Sequence, residues 1–465
     1  MKRFPALFKD VSSIVGGIVV AGVLIFWSVP AVAAGFFLPT RGVESTARGG
    51  ASVAPHSPAL DSLWHNPAGL SLLDETSLTV DLAAVGLEVE HERADREMDD
   101  GSTREYDPVQ NEAYPNTIPS VFVGGTTPIE DLNWAAGAYT QYAGSSTYPV
   151  QGPQRYVLID NVGSGMGYLH AGVGWQVTDE IAVGAGFQNF MGSFRIVSTG
   201  SGYTGMFGDP EDRDLDMPAE ATVTSLLNPT GNLGVTYRAH DNIQTGLSIQ
   251  LPTRFADSDA TIDARVPDHP AYDGAEVTDN RVDVAMTFPV YVRGGVRWIR
   301  ESIDLEAAVV YQHWSVFDEV VITPHEAEVD GAAGVDSVPV QPMVVPQGFR
   351  NTVSVHLGGE YDLFESVDVR GGYVYERGAV PDERYSVFAL DPDKHQLSSG
   401  GSWHIDNWTL DWTATFIMMP SKEITNSEVR QNNPSDPDDD HTIVVGNGTY
   451  DHFGYILGAG VNYRF

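Results

Sequence analysis

The feature that most constrains this chain is a two-residue alternation that runs to its last residue. From Phe453 every second position reads Phe453, Tyr455, Leu457, Ala459, Val461, Tyr463, Phe465. The residues between them are Gly454, Ile456, Gly458, Gly460, Asn462 and Arg464. Successive side chains of a strand point to opposite faces, so this spacing predicts a strand with one apolar and one small or polar face. Ile243–Leu251, Val353–Tyr361 and Trp408–Met418 repeat the pattern. A soluble sandwich alternates in the same way, so the period alone leaves two architectures open.

Connection length separates them. Tight turns are predicted near Pro128–Leu132, Thr178–Glu180, Ala239–Asn242, Arg300–Ser302, Asp362–Ser366 and Asp406–Asn407. Between them lie long polar connections at about 93–115, 146–163, 198–230, 257–281, 324–349, 381–393 and 425–450. Six short turns and seven long loops in alternation imply fourteen strands with all short turns at one end. A sandwich has no reason to sort its loops by length, whereas an outer-membrane β-barrel does so. Trp134, Trp175, Tyr237, Trp298, Tyr361 and Trp408 each stand within a few residues of a short turn, as an aromatic girdle at the membrane interface requires. The expected fold is therefore all-β, a 14-stranded antiparallel transmembrane barrel.

Composition agrees and excludes several functions. The 465 residues carry 63 Asp and Glu against 26 Lys and Arg, a net charge of −37, so nucleic acid is not a partner. No cysteine is present, which removes disulfides and thiolate chemistry. With a mean hydropathy of −0.15, the chain has no room for a bundle of membrane helices. The one long apolar stretch, Val11–Val29, follows Lys2, Arg3 and Lys9 and ends in Pro30-Ala31-Val32-Ala33-Ala34. This is the layout of a secretory signal peptide, residues 1–33, cut before Ala34 or Gly35; an uncleaved anchor is the competing reading.

Residues 34–74 contain Gly, Ala, Ser and Pro but no sustained alternation, as suits a compact plug. Within them, Ala34-Gly35-Phe36, Arg48-Gly49-Gly50-Ala51 and Asn66-Pro67-Ala68-Gly69-Leu70 occur in order. Later come Asn133-Trp134-Ala135-Ala136-Gly137, Tyr311-Gln312-His313-Trp314-Ser315-Val316-Phe317 and Phe349 with Asn351-Thr352. Leu357-Gly358-Gly359-Glu360-Tyr361, Arg370-Gly371-Gly372-Tyr373, Val380-Pro381-Asp382-Glu383-Arg384 and Asp391-Pro392-Asp393 complete the set. In this order the motifs resemble the FadL-type long-chain fatty acid transporters of the outer membrane. The long acidic loops match nothing in that pattern.

The resemblance implies a fourteen-stranded barrel (75–465) whose lumen holds an N-terminal hatch (34–74). It also implies a third strand kinked to leave a gap in the wall. Long-chain fatty acids or other hydrocarbons would enter among the outer loops and leave sideways into the membrane, gated by the hatch. The hatch motif would be Asn66, Pro67 and Ala68. Glycine inside a strand marks a bend or a close approach, so Gly137 and Gly144 are the candidates for the gap strand. If Val290, Val292, Gly294, Val296 and Trp298 face lipid, Arg293 and Arg297 point inward, and the same parity places Arg370, Asp368 and His356 in the lumen. Each is a candidate ligand contact, since an inward arginine can pair with a carboxylate; each can equally belong to an Arg–acid ladder with Asp304, Glu306, Glu360 and Asp411.

No cofactor is expected: there is no Walker motif, and no serine elbow surrounds His313 or Ser315, so an outer-membrane phospholipase is set aside. The acidic runs Asp436–Asp440 with His441, and Asp257, Asp259, Asp263 and Asp268, match no EF-hand spacing and are read as solvated loop rather than metal site. A monomer in contact with outer-membrane lipid and lipopolysaccharide is expected. The alternative function is a general diffusion porin or a structural barrel, which needs no N-terminal plug.

Overall fold

The structure, a computed structural model, describes residues 40–465 except 99, 113–114, 141–144, 204, 206–207, 331–336, 340–341 and 434–440. The signal segment 1–33 therefore lies outside the described residues. Fourteen strands form one antiparallel wall. In chain order they are β1 Ser77–Arg93, β2 Asn116–Thr126, β3 Leu132–Tyr139, β4 Gly165–Gln176, β5 Ile181–Ser201 and β6 Asp216–His240. Next come β7 (Ile243–Gln250 and Thr253–Ala264), β8 (Arg281–Phe288 and Tyr291–Arg300), β9 (Ile303–Gln312 and Glu319–Pro324) and β10 (Met343–Pro346 and Thr352–Phe364). The last four are β11 Val367–Glu376, β12 Lys394–Ile405, β13 Trp408–Ile424 and β14 Gly448–Arg464. β14 pairs with β1 from Ser77↔Arg464 to Arg93↔Gly448, which closes the barrel and leaves no sheet edge there.

All six tight turns fall where the sequence places them, and alternation sorts the side chains as expected. Leu457, Leu357, Val296 and Trp412 are exposed on the outer face, while Ile456, His356, Arg297 and Thr413 are buried inside. Several of the long connections prove shorter than read, 324–349 among them, since 343–346 belong to β10. Residues 216–230 belong to β6 and 257–264 to β7, so these strands extend well above the girdle. Both faces of a strand outside the bilayer can be polar; Asp259 and Asp263 are exposed there, and the apolar period that identifies a strand is lost.

Leu251-Pro252 interrupts β7 and Pro289-Val290 interrupts β8 at adjacent positions. Proline donates no ladder hydrogen bond, so the sheet bends there and separates the lower cylinder from an outer tower.

Residues 40–74 fold inside the cylinder as two short helices, α1 Val43–Ala47 and α2 Ser62–His65, followed by a 3-10 turn, Pro67–Leu72. Their seat is made of absent side chains. A Cβ added to Gly172 would touch Leu63; at Gly174, Leu70; at Gly234, Asn66; at Gly246, Val53 and Ala54. On the far side, Gly358 and Gly372 meet Arg48, Gly400 meets Ala47 and Gly458 meets Val43. Inward glycines thus ring the barrel at the level of the N-terminal segment and let two backbones approach.

β3 is short. It pairs with β2 from Ser120↔Tyr139 to Thr126↔Asn133 and with β4 from Leu132↔Trp175 to Tyr139↔Tyr168. Beyond Tyr139, β2 at 116–119 and β4 at 165–167 have no β3 partner among the described residues. Pro119 stands at this bare edge of β2, a position proline tolerates.

Candidate functional site

Two kinds of contact hold the N-terminal segment. Toward β8–β14 the contact is ionic. Arg48 forms a bidentate pair with Asp304 (3.2 and 2.9 Å), and Glu306 Oε1 accepts the backbone N–H groups of Val53 at 2.7 Å and Ala54 at 3.2 Å. Arg297 donates to Glu306 at 2.7 Å and lies 3.4 Å from Asp304. Arg370 donates to Glu360 and Ser402 and faces Glu44 of α1 at 3.7 Å. His356 takes a 2.7 Å contact with the Gly49 carbonyl and a 2.8 Å contact with Ser354. Arg297, Arg370 and His356 are therefore occupied in anchoring the segment or the wall.

Toward β4–β7 the contact is apolar and backbone-mediated. Asn66 precedes a proline and is extended (φ −160°, ψ 102°), as the steric rule for that position requires. Its Nδ2 donates to the carbonyls of Val53 (2.7 Å) and Val235 (3.1 Å), and its Oδ1 accepts Ala68 N–H at 3.2 Å. Asn66-Pro67-Ala68 thus locks onto β5 and β6. β3 meets the end of the segment instead: Asn133 Nδ2 donates to the carbonyls of Ser71 (3.0 Å) and Leu73 (2.7 Å). Burial holds His65 in its neutral form, down to about 3, with the Arg41 carbonyl 3.0 Å from Nε2.

Gly137 faces the Phe122 ring, which fills the place of a Cβ. A bulky residue there would have to displace Phe122. The described part of the third strand is Leu132–Tyr139, and Gly144 lies outside the described residues.

Above the segment the lumen is aromatic, a feature the sequence reading missed because its members come from five strands and from the interruptions of β9 and β10. Phe122 and Tyr139 stack at 5.7 Å and Tyr139 and Tyr168 at 5.6 Å, and Phe190 lies tilted against Tyr168 at 4.8 Å. The series continues through Phe288 (5.1 Å from Phe190) and Phe317 (6.2 Å from Phe288) to Phe349 (5.0 Å) and ends with Trp314, 5.7 Å from Phe349. One end lies at the outer half of β9 and β10 and the other where β3 stops. Tyr139 is fixed by His170 (3.0 Å) and Gln188 (2.9 Å).

Arg293 differs from the other lumenal arginines. It is 2% exposed and lies 4.1 Å above the Trp64 ring of α2, and among the described residues it donates a hydrogen bond to Gln250 at 3.4 Å.

Over the mouth, outer loops interlock: Arg93 pairs with Glu211 (2.7 Å), Arg155 with Asp216 (2.8 Å), and Asn432 O accepts Ser201 N–H (2.7 Å). Asp257, Asp259 and Asp263 lie along β7, and Asp436–Asp440 lie outside the described residues. No group of three metal-ligating side chains forms among the described residues. No helix there is long and apolar enough to cross a membrane, which says nothing of strands.

The sequence matches, over residues 24–465, the family described as outer membrane protein transport protein (OMPP1/FadL/TodX). The chain belongs to that family. Its solved relatives include a Pseudomonas aeruginosa FadL homologue, with 16% identity, a TM-score of 0.73 and coverage of 93% of this chain and 100% of the other. The Pseudomonas putida toluene transporter TodX gives 15%, 0.64, 93% and 100%. The Ralstonia pickettii toluene transporter TbuX gives 16%, 0.61, 92% and 99%. The comparison with curated proteins returned no match. At these identities the solved structures speak for the fold alone. OMPP1/FadL/TodX membership makes this a transport protein of the outer membrane and not an enzyme.

Proposed function

We propose that this protein takes up hydrophobic molecules, long-chain fatty acids or hydrocarbons, along the aromatic series and releases them sideways into the membrane where β3 ends. The reading rests on one observation: Tyr139 is at once the last residue of β3 and a member of the ring series. The apolar route therefore arrives at the place where wall pairing lapses, between 116–119 and 165–167. The rings are buried in this conformation, so a substrate advances by parting side chains rather than by filling an open pore. A general diffusion porin would instead need a water-filled lumen at the level that residues 40–74 occupy.

The segment 40–74 is proposed to gate this exit through Ser71 and Leu73, which Asn133 of β3 holds by their carbonyls. Movement of that end frees the base of β3, while the Arg48–Asp304 pair across the barrel keeps the segment attached.

A photoreactive fatty acid, taken up by cells and then illuminated, tests the route. Labels are expected on Phe190, Tyr139, Ile118 and Gly165–Gly167. Labels confined to the turns at 301–302 and 406–407 would mean axial passage and end the lateral reading.

A further inference from the structure

β9 and β10 pair from Ile303↔Tyr361 to Gln312↔Thr352 below the outer tower, and from Glu319↔Pro346 to Ile322↔Met343 within it. Between these ladders, 313–318 and 347–351 have no ladder partner among the described residues. On the other side of β9, pairing with β8 stops at Tyr291↔Gln312 and resumes at Ala285↔Val321. One stretch of β9 therefore leaves the sheet on both sides and winds into the 3-10 turn Trp314–Val316. Among the described residues three hydrogen bonds bridge it to the break in β10. Asn351 Oδ1 accepts Ser315 N–H at 2.9 Å, and the Asp318 carbonyl accepts the N–H groups of Gln347 (2.7 Å) and Gly348 (2.9 Å).

This break sits at the rim of the membrane. From Ile303 to Tyr311 the strand climbs about 20 Å along the membrane normal at a tilt of about 40°, most of an apolar band about 25 Å tall. Tyr311 and its partner Val353 are still exposed on the outer face, whereas Ser315, Asp318, Gly348 and Asn351 beyond them are small or polar. Behind this thin cover lie Trp314 and Phe349, each 7% exposed, and half-buried Phe317. A wall against lipid keeps its backbone groups paired, so a lapse in front of rings is a place where the wall can part at small cost. The mouth is less open to a hydrophobe. Arg93–Glu211 and the Ser201–Asn432 bond tie loops across it, and the tower exposes Asp259, Asp263, Asp318 and Glu319.

We infer that the β9–β10 break is an entry port, through which hydrophobic molecules dissolved in the outer leaflet of the membrane pass the wall into the lumen. This rests on the uptake proposed above and names its source, the membrane rather than the water. A molecule passing between Ser315 and Asn351 meets Trp314, Phe349 and Phe317 first, then Phe288 and Phe190 on the way to Tyr139. It goes from hydrocarbon to rings without exposing apolar surface to water.

Two cysteine pairs test the port in the full-length chain, which has no cysteine of its own. Ser315→Cys with Asn351→Cys ties the break, and Ser201→Cys with Asn432→Cys ties the mouth. Cellular uptake of radiolabelled oleate and hexadecane is measured with each pair oxidised and then reduced. With the mouth tied, most of the uptake is expected to remain. With the break tied, uptake should fall to that of cells lacking the protein and recover on reduction. Uptake lost on tying the mouth, or unchanged on tying the break, overturns the port and leaves hydrophobic uptake standing. Uptake of neither compound by the wild type overturns the uptake reading itself. If either pair fails to cross-link, photolabelling decides. A diazirine-bearing hydrocarbon dissolved in proteoliposome membranes and flashed briefly should label Trp314 and Phe349 more than Phe190. Equal or reversed yields overturn the port.

Discussion

The place of a side chain at Gly184 is taken by Pro67: a Cβ there would overlap the Pro67 carbonyl and the Ala68 nitrogen. The wall and the N-terminal segment are therefore matched atom for atom. Gly184→Val should unseat the 67–72 turn while the outward half of β5 stays intact. Gly371 supplies the control, because a Cβ there meets only Ser398 O at 3.9 Å. In planar bilayers Gly184→Val should raise ion conductance and Gly371→Val should not. Equal conductance of the two would mean that the segment does not seal the lumen.

Arg48 and Asp304 are nearly wholly buried, and their pair is the ionic anchor of the segment. Removing Arg48 leaves Asp304 with Arg297 at 3.4 Å and His56 at 3.1 Å, so the cost falls below the about 3–5 kcal/mol of a fully stranded buried charge. Arg48→Met should still loosen residues 43–56 in hydrogen exchange. The double variant Arg48→Met with Asp304→Asn should recover much of the loss. A double variant as loose as Arg48→Met alone would show that packing, not charge, holds this side.

Leu457 projects to lipid at 53% exposure, opposite Ala84 and Ala414. Gly458 faces Val43 of the N-terminal segment, which places Asn462 on the inner face by parity. Leu457→Arg should cost about 2–4 kcal/mol near the bilayer midplane. Asn462→Arg should cost only about the 2.7 Å bond from Asn462 to Thr79, roughly 1 kcal/mol. Urea unfolding in lipid vesicles measures both, and equal losses would place the register of β14 one residue out.

The cylinder was legible because lipid imposes a strict period on strands such as Phe453–Phe465 and on turns such as 406–407. Above the bilayer that constraint vanishes, and 216–230 read as loop. The difference between Arg293 and Arg297 was within reach of the sequence. The tight turn at 301–302 sets the register of β8 and β9, which brings Arg297 opposite Glu306 and Arg293 opposite Val310. The glycine seat was not legible. Gly184 faces Pro67 across more than a hundred residues, and no local pattern links them.

Asp61 gives the N-terminal segment a pH dependence whose sign can be worked out. Burial raises its carboxyl to about 6, opposed by the Ser45 hydroxyl that donates to it and by Arg370 and Arg297; Asp411 adds to the rise. A carboxyl raised by its seat is easier to seat protonated. Ionisation therefore disfavours the seated segment as pH climbs from the ordinary 3.8 through about 6, and the penalty is constant above that. Its size is on the order of 1–3 kcal/mol. His65 works in the opposite sense: held neutral down to about 3, it disfavours seating as pH falls below 6.5. Raw pH profiles mix these with Glu44, which burial raises to about 7, and His56, which burial lowers to about 4, so the informative quantity is the difference between wild type and Asp61→Asn, which keeps an acceptor for Ser45. Hydrogen exchange at 43–48 and 62–66 should show the two alike at pH 4 and Asp61→Asn more protected at pH 8. A difference of the same size at both pH values would mean that the Asp61 charge plays no part in seating the segment.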